Sequence, residues 1–159
     1  MIYDLLSLRD GVAAKLRAEL TQLKECVPHP GRFDLTELAN HSMLSPSLRI
    51  GMLGMQRPDA VHTSETDYPF RLAAYVTTAD QPKKPRDVTA LEIVNYLLTT
   101  LPGRQWGGEN VLPIQALTVT ADNLYSSKVG NKGVSLWAVT WLQPIRLGGD
   151  DLVLEAANG

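Results

Sequence analysis

Cysteine is almost absent from this 159-residue chain. The one residue of that type, Cys26, excludes an intrachain disulfide and a CxxC metal knuckle and fits a reducing cytosol; its position reads as a semi-buried helix end. Long apolar runs are also missing. Every candidate window is broken by charge, proline or glycine before it reaches the roughly 20 apolar residues that a membrane span needs. The opening MIYDLLSLRD carries Asp4, Arg9 and Asp10 where a signal peptide would be uninterrupted. The sequence therefore predicts a soluble, non-secreted protein with no membrane partner. Nor is there an excess of charge: 15 Lys+Arg stand against 17 Asp+Glu, a formal −2. Long-range attraction to nucleic-acid phosphates is not built into that total, although a local basic patch is still open.

The usual signatures of site chemistry are equally scarce. His29, His41 and His62 lie in separate turn-rich stretches without HxxxH or HxH pairing, and read as solvated loop histidines rather than metal ligands. Ser42, Ser45 and Ser47, in HSMLSPS, lack the glycines of a nucleophile elbow. Gly130-Asn131-Lys132-Gly133 lacks the Walker spacing and opens onto a strand, which suits a hairpin tip. The acidic pairs Glu65/Asp67 and Asp150/Asp151 sit in polar stretches where nothing would desolvate them. Lys83, Lys84 and Arg86 form one short basic cluster beside prolines, without stacking aromatics. That cluster reads as a solvated connection, or as a charged rim that meets an acidic partner. No catalytic residue, metal ligand or cofactor contact is predicted.

What the chain does contain is alternating order. From about Tyr3 to Leu23, Leu5, Val12, Leu16, Leu20 and Leu23 recur at helical steps, and Pro28-His29-Pro30-Gly31 sets the limit of that amphipathic helix. Asp34 with Glu37 three residues on caps a short helical turn through Leu38. Ser47–Met55 reads as a strand that passes close to a neighbour or bulges at Gly51 or Gly54, and Phe70–Thr77 as a second strand after the polar stretch Gln56–Pro69. Ala79–Arg86 is a connection. A helix follows, capped by Asp87 or by Thr89 with Glu92, with Leu91, Val94, Leu98 and Leu101 as its stripe and Pro102-Gly103 as its stop. Gln115–Thr120 and Val134–Leu147 are strand-like, and the polar Asp122–Gly133 between them, too long for a tight hairpin, reads as a loop that is either disordered on its own or a projection that meets something.

In the last strand Trp137, Val139 and Trp141 point one way and Leu136, Ala138, Thr140 and Leu142 the other. Both faces are largely apolar, so the strand wants cover on both sides. Two helices supply one layer. The other would come from a second sheet or from another subunit, unless the fold has two layers and leaves one apolar face partly bare. The fold class expected is α+β: a small mixed or antiparallel sheet of about four to five strands with two main helices packed on one face.

This order of elements resembles the tail terminator proteins of Mu-like phages and prophages. The resemblance rests on IYDLLSLRDGVAAKLRAEL, SPSLRIGMLG, FRLAAYVTT, ALEIVNYLLTTLPG and the closing WAVTWLQPIRLG, with Trp137, Trp141 and Gln143 its most telling part. It covers residues 1–148 as one domain; residues 149–159 are a C-terminal extension outside the pattern, with no function assigned. The resemblance implies a non-enzymatic ring, a homohexamer, on the head-proximal end of the tail tube. Such a ring ends tube polymerisation and offers a head–tail joining surface. Its implied partners are further copies, the tail tube protein, head-completion and neck proteins, and the sheath protein if the tail is contractile; DNA only passes through the lumen. The implied location is the host cytoplasm during assembly and then the virion tail. By the same resemblance Tyr125, Lys128 and Lys132 contact the tube or neighbouring copies. The interface expected from all these readings comprises Tyr125, Lys128, Lys132, Trp137, Trp141, Lys83, Lys84 and Arg86. The alternative is a non-enzymatic α+β module that binds a small molecule or peptide, and, behind it, a minor hydrolase.

Overall fold

The computed structural model describes residues 2, 4–40, 44–55 and 66–147. His41, His62, Glu65, the Asp150/Asp151 pair and the extension 149–159 lie outside the described residues, as does most of the polar stretch before Pro69. The described elements run α1 (Leu5–Glu19), β1 (Glu25–His29), α2 (Leu35–Asn40), β2 (Ser47–Met55), β3 (Thr66–Ala79), α3 (Arg86–Thr100), β4 (Thr120–Asn123), α4 (Ser127–Asn131) and β5 (Val134–Leu147). A single 3₁₀ turn, Ala116–Thr118, precedes β4. The five strands form one mixed sheet in the order β1-β2-β3-β5-β4, and only the β1–β2 pair is parallel. This is the α+β architecture expected. No described helix is long and apolar enough to cross a membrane.

The sheet is built on β3 and β5, which pair without interruption from Thr66 opposite Leu147 to Ala79 opposite Val134. Alternation then divides their side chains. Leu72, Ala74, Val76, Val139, Trp141 and Ile145 join Leu48 and Ile50 of β2 on the face covered by Leu8, Val12 and Leu16 of α1 and Ile93, Val94 and Leu97 of α3. Fully burying one such leucine contributes about 2 kcal/mol, so this shared core is the main source of stability. α1 starts where Asp4 accepts a hydrogen bond from the Ser7 backbone N–H at 2.8 Å while the Ser7 hydroxyl accepts one from the Asp4 N–H.

The second face is where expectation and structure part. Ala73, Tyr75, Leu136 and Ala138 are buried there against Phe33, Leu38 and Val129. The cover comes from the chain itself, through the segment leading into α2 and through α4. Residues 122–133 are therefore not a projecting polar loop: Val129 is fully buried, and α4 is capped by the Ser126 hydroxyl, which accepts from the Val129 N–H. The strand read at Gln115–Thr120 is shifted, with a 3₁₀ turn in its place and β4 beginning at Thr120.

Four local readings are also corrected. Cys26 lies in β1, a strand that the prolines conceal, and its thiol reaches the Ala13 carbonyl at 3.3 Å. His29 is not solvated: it is buried, its Nε2 2.6 Å from the Glu37 carboxylate; Asp34 caps α2 as expected, accepting from the Glu37 N–H at 3.1 Å, while the Glu37 carboxylate is engaged by His29. α3 follows Pro85 with no side-chain cap from Asp87 or Thr89; Asp80 instead accepts the Arg86 N–H at 2.8 Å. The stripe of α3 is rotated, with Ala90, Ile93, Val94, Leu97 and Leu101 buried while Leu91 and Leu98 are exposed. Both glycines of β2 have a use. A Cβ at Gly51 would lie 2.4 Å from the Gly31 carbonyl oxygen, and Gly54, at φ +148°, sits at the bulge where the β2–β3 register shifts.

Candidate functional site

The sheet ends at β4. Among the described residues nothing pairs with the outer edge of Thr120–Asn123, four residues whose other edge is bonded to β5. An open strand edge is a template for another strand unless it is blocked. Exposed apolar side chains lie on the chain to either side of it: Leu117 is 98 % exposed on the turn that enters β4, and Leu124 and Tyr125 are exposed where the chain leaves it; from α3, Leu91 approaches the end of β4 at Asn123.

Between α3 and the end of β4 lies a cleft of about 460 Å³, bordered by Leu91, Asn123, Tyr125, Ser135 and Trp137 together with Asp80, Arg86 and Asp87. The register explains the meeting: Asn123 pairs with Trp137, which shares its sheet face with the α3 core. Trp137 is half-buried and Tyr125 is 63 % exposed, so together they offer one firm and one accessible aromatic surface.

Of the eight predicted interface residues, the fold gathers Arg86, Tyr125 and Trp137 in this cleft. Lys128 and Lys132 are exposed on and just after α4, and neither makes an ion pair among the described residues. Lys83 is exposed at the tip of the turn before α3, at φ +64°. Lys84 is tied to Glu92 at 2.5 Å, and Arg86 lies 4.0 Å from Asp80. Trp141 is a core residue rather than a surface contact. It is fully buried, and its indole N–H donates to the Gln143 side-chain oxygen at 3.1 Å. Leu91 and Leu117 are the surface residues that sequence reasoning missed; the first was placed in the core stripe and the second in a strand.

The described residues hold no group of three or more His, Cys, Asp or Glu that would suit a metal ion. Cys26 is no more available: burial pushes its thiol up to about 11, with Arg17 opposing weakly, so it stays protonated and unreactive. The arrangement offers an edge strand with one side open among the described residues, exposed apolar side chains beside it, and a cleft with Arg86 in its lining. The chain matches no protein-family model and no curated protein.

Proposed function

We propose that the protein is an assembly protein of the kind its sequence resembles, a tail terminator. In this reading six copies close into a ring on the head-proximal end of a tail tube, stop its growth and present a joining surface to the head-completion proteins. DNA passes through the lumen, and a sheath protein is a further neighbour if the tail contracts. Binding is the whole mechanism, with no turnover and no cofactor. The observation that carries the proposal is the set of exposed apolar side chains on α3 and around β4, beside a strand edge that is unpaired among the described residues. Contacts between that border and a different surface of the next copy are heterologous, and closure into a ring keeps them from running on as a filament. The chain covers both sheet faces itself, so contacts between copies fall to the sheet edge.

Light scattering over a range of concentrations, with and without tail tubes, tests this. The expected result is a hexamer-sized ring, formed alone or on the tube. A monomer at every concentration, together with no ring on tubes, overturns it. The second reading, a module for a small ligand or peptide, is favoured by one observation, the size of the cleft at Trp137, which falls within the range of ligand sites. A monomer whose melting temperature rises with a small apolar or aromatic ligand would select that reading instead.

A further inference from the structure

We propose that the open β4 edge receives residues Leu152–Leu154 of a neighbouring copy as an added strand. This inference rests on the ring reading and names its contact. β4 is short and, among the described residues, unpaired on one side, and the sequence outside the described residues supplies one short apolar segment after β5, DLVLE, whose alternation would put Leu152 and Leu154 on one side of an added strand and Val153 on the other. In such augmentation the backbone supplies the hydrogen bonds and alternate side chains fill pockets. Leu152 and Leu154 match the cleft side, where Leu91 and Trp137 lie, and Val153 matches the side of Asp122. Asp150, Asp151 and Glu155 flank the segment; Lys128 on α4 and Lys132 just after it, which follow β4 in the chain, make no ion pair among the described residues, whereas Asp122 on β4 itself is acidic and exposed.

Reach decides between the chain's own edge and a neighbour's. β5 ends at Leu147, and β4 pairs with β5 only from Trp137 to Thr140. From Leu147 back to the level of Thr140 is roughly 24 Å along the strand, and the outer edge of β4 lies roughly two strand spacings, ~10 Å, to the side. Leu152 is five residues past Leu147 and spans at most ~18 Å fully extended. The direct path is also occupied, because Val111 bridges to Ile145 and the Leu112 N–H donates to the Pro144 carbonyl beside the end of β5. The segment therefore falls short of its own edge and can fill only that of another copy. Passed from each copy to the next, it links subunits head to tail, as a closed ring requires.

The test uses the full chain. One tagged preparation carries Val153→Cys and a differently tagged one carries Asp122→Cys; Cys26 is buried in both. Mixed and oxidised in the presence of tail tubes, they should yield a disulfide between the two tags, since cross-strand neighbours on one face lie close enough for it. The double variant Leu152→Asp with Leu154→Asp should weaken ring formation at least tenfold and raise hydrogen exchange at Thr120–Asn123. Rings that persist in the double variant without a mixed disulfide overturn this inference and leave the ring reading standing. Tube-dependent protection of Thr120–Asn123 in that variant would assign the edge to a tube strand and overturn it too. A full chain that never associates overturns both.

Discussion

Gln143 is the residue on which the closing strand turns. Fully buried, it uses all of its amide: the side-chain oxygen accepts from the indole N–H groups of Trp106 at 2.8 Å and Trp141 at 3.1 Å, and the nitrogen donates to the carbonyls of Leu112 at 2.8 Å and Arg104 at 3.1 Å. One side chain thus pins the end of β5 to the segment after α3. Gln143→Leu keeps the size and removes all four bonds, which strands the two indole donors and the Leu112 carbonyl, while the Arg104 carbonyl keeps the Ile114 N–H at 3.2 Å. A single such group costs about 1–3 kcal/mol, so a loss of about 3 kcal/mol or more is expected in urea unfolding. A loss under about 1 kcal/mol would mean that water or a repacked neighbour replaces the amide. Trp137, Trp141 and Gln143 stand out in the sequence as an aromatic pair followed by a polar residue in an apolar run. The amide's partners do not, because they come from the irregular segment 104–112, which has no period to read.

The elements differ in how far periodicity reveals them, and α3 shows the limit. Its residues 91, 94, 98 and 101 satisfy helical spacing, but so do 90, 93, 94, 97 and 101, and both arcs are apolar. Periodicity locates such a helix without saying which arc faces the sheet. β1 was hidden by Pro28, which an edge strand tolerates, and α4 by its brevity and polarity. β5 was legible from end to end because its alternation is long. A contact between distant elements is the least legible of all. At the end of α1, Glu19 receives two bonds from the Arg104 guanidinium, at 2.7 and 2.5 Å, and one from the Tyr96 hydroxyl, while Arg104 stacks 4.0 Å from the Trp106 ring. Arg104 foremost holds the Glu19 carboxyl below its usual range, against partial desolvation. A depressed carboxylate contributes stability that is complete above its ordinary range and is lost as the pH falls through the lowered native value. Urea midpoints of the wild type should therefore fall more steeply on acidification than those of Glu19→Gln, with the two curves converging at the acid end. Parallel curves would show that solvent screens the clasp away.

At the scale of the whole molecule, the surface and the core carry separate tasks, and substitutions separate them. The sheet interior is closed by the chain's own elements on both faces, so folding does not call for a partner. The α3–β4 border is the opposite case, since Leu91, at 52 % exposure, and Tyr125 stand in solvent beside an edge that is unpaired among the described residues. Exposed apolar side chains do little for the monomer, and large clustered ones mark contact surfaces. Leu91→Asp combined with Tyr125→Ala should therefore leave the unfolding free energy within about 0.5 kcal/mol of wild type. Association should nevertheless weaken by at least tenfold, about 1.4 kcal/mol. Trp141→Ala should do the reverse of the first effect, costing about 3–5 kcal/mol of stability because it empties the core. Light scattering alongside urea unfolding on the same three proteins distinguishes the two tasks. If the border variant associates as the wild type does, the α3–β4 border is not the contact of the proposed ring.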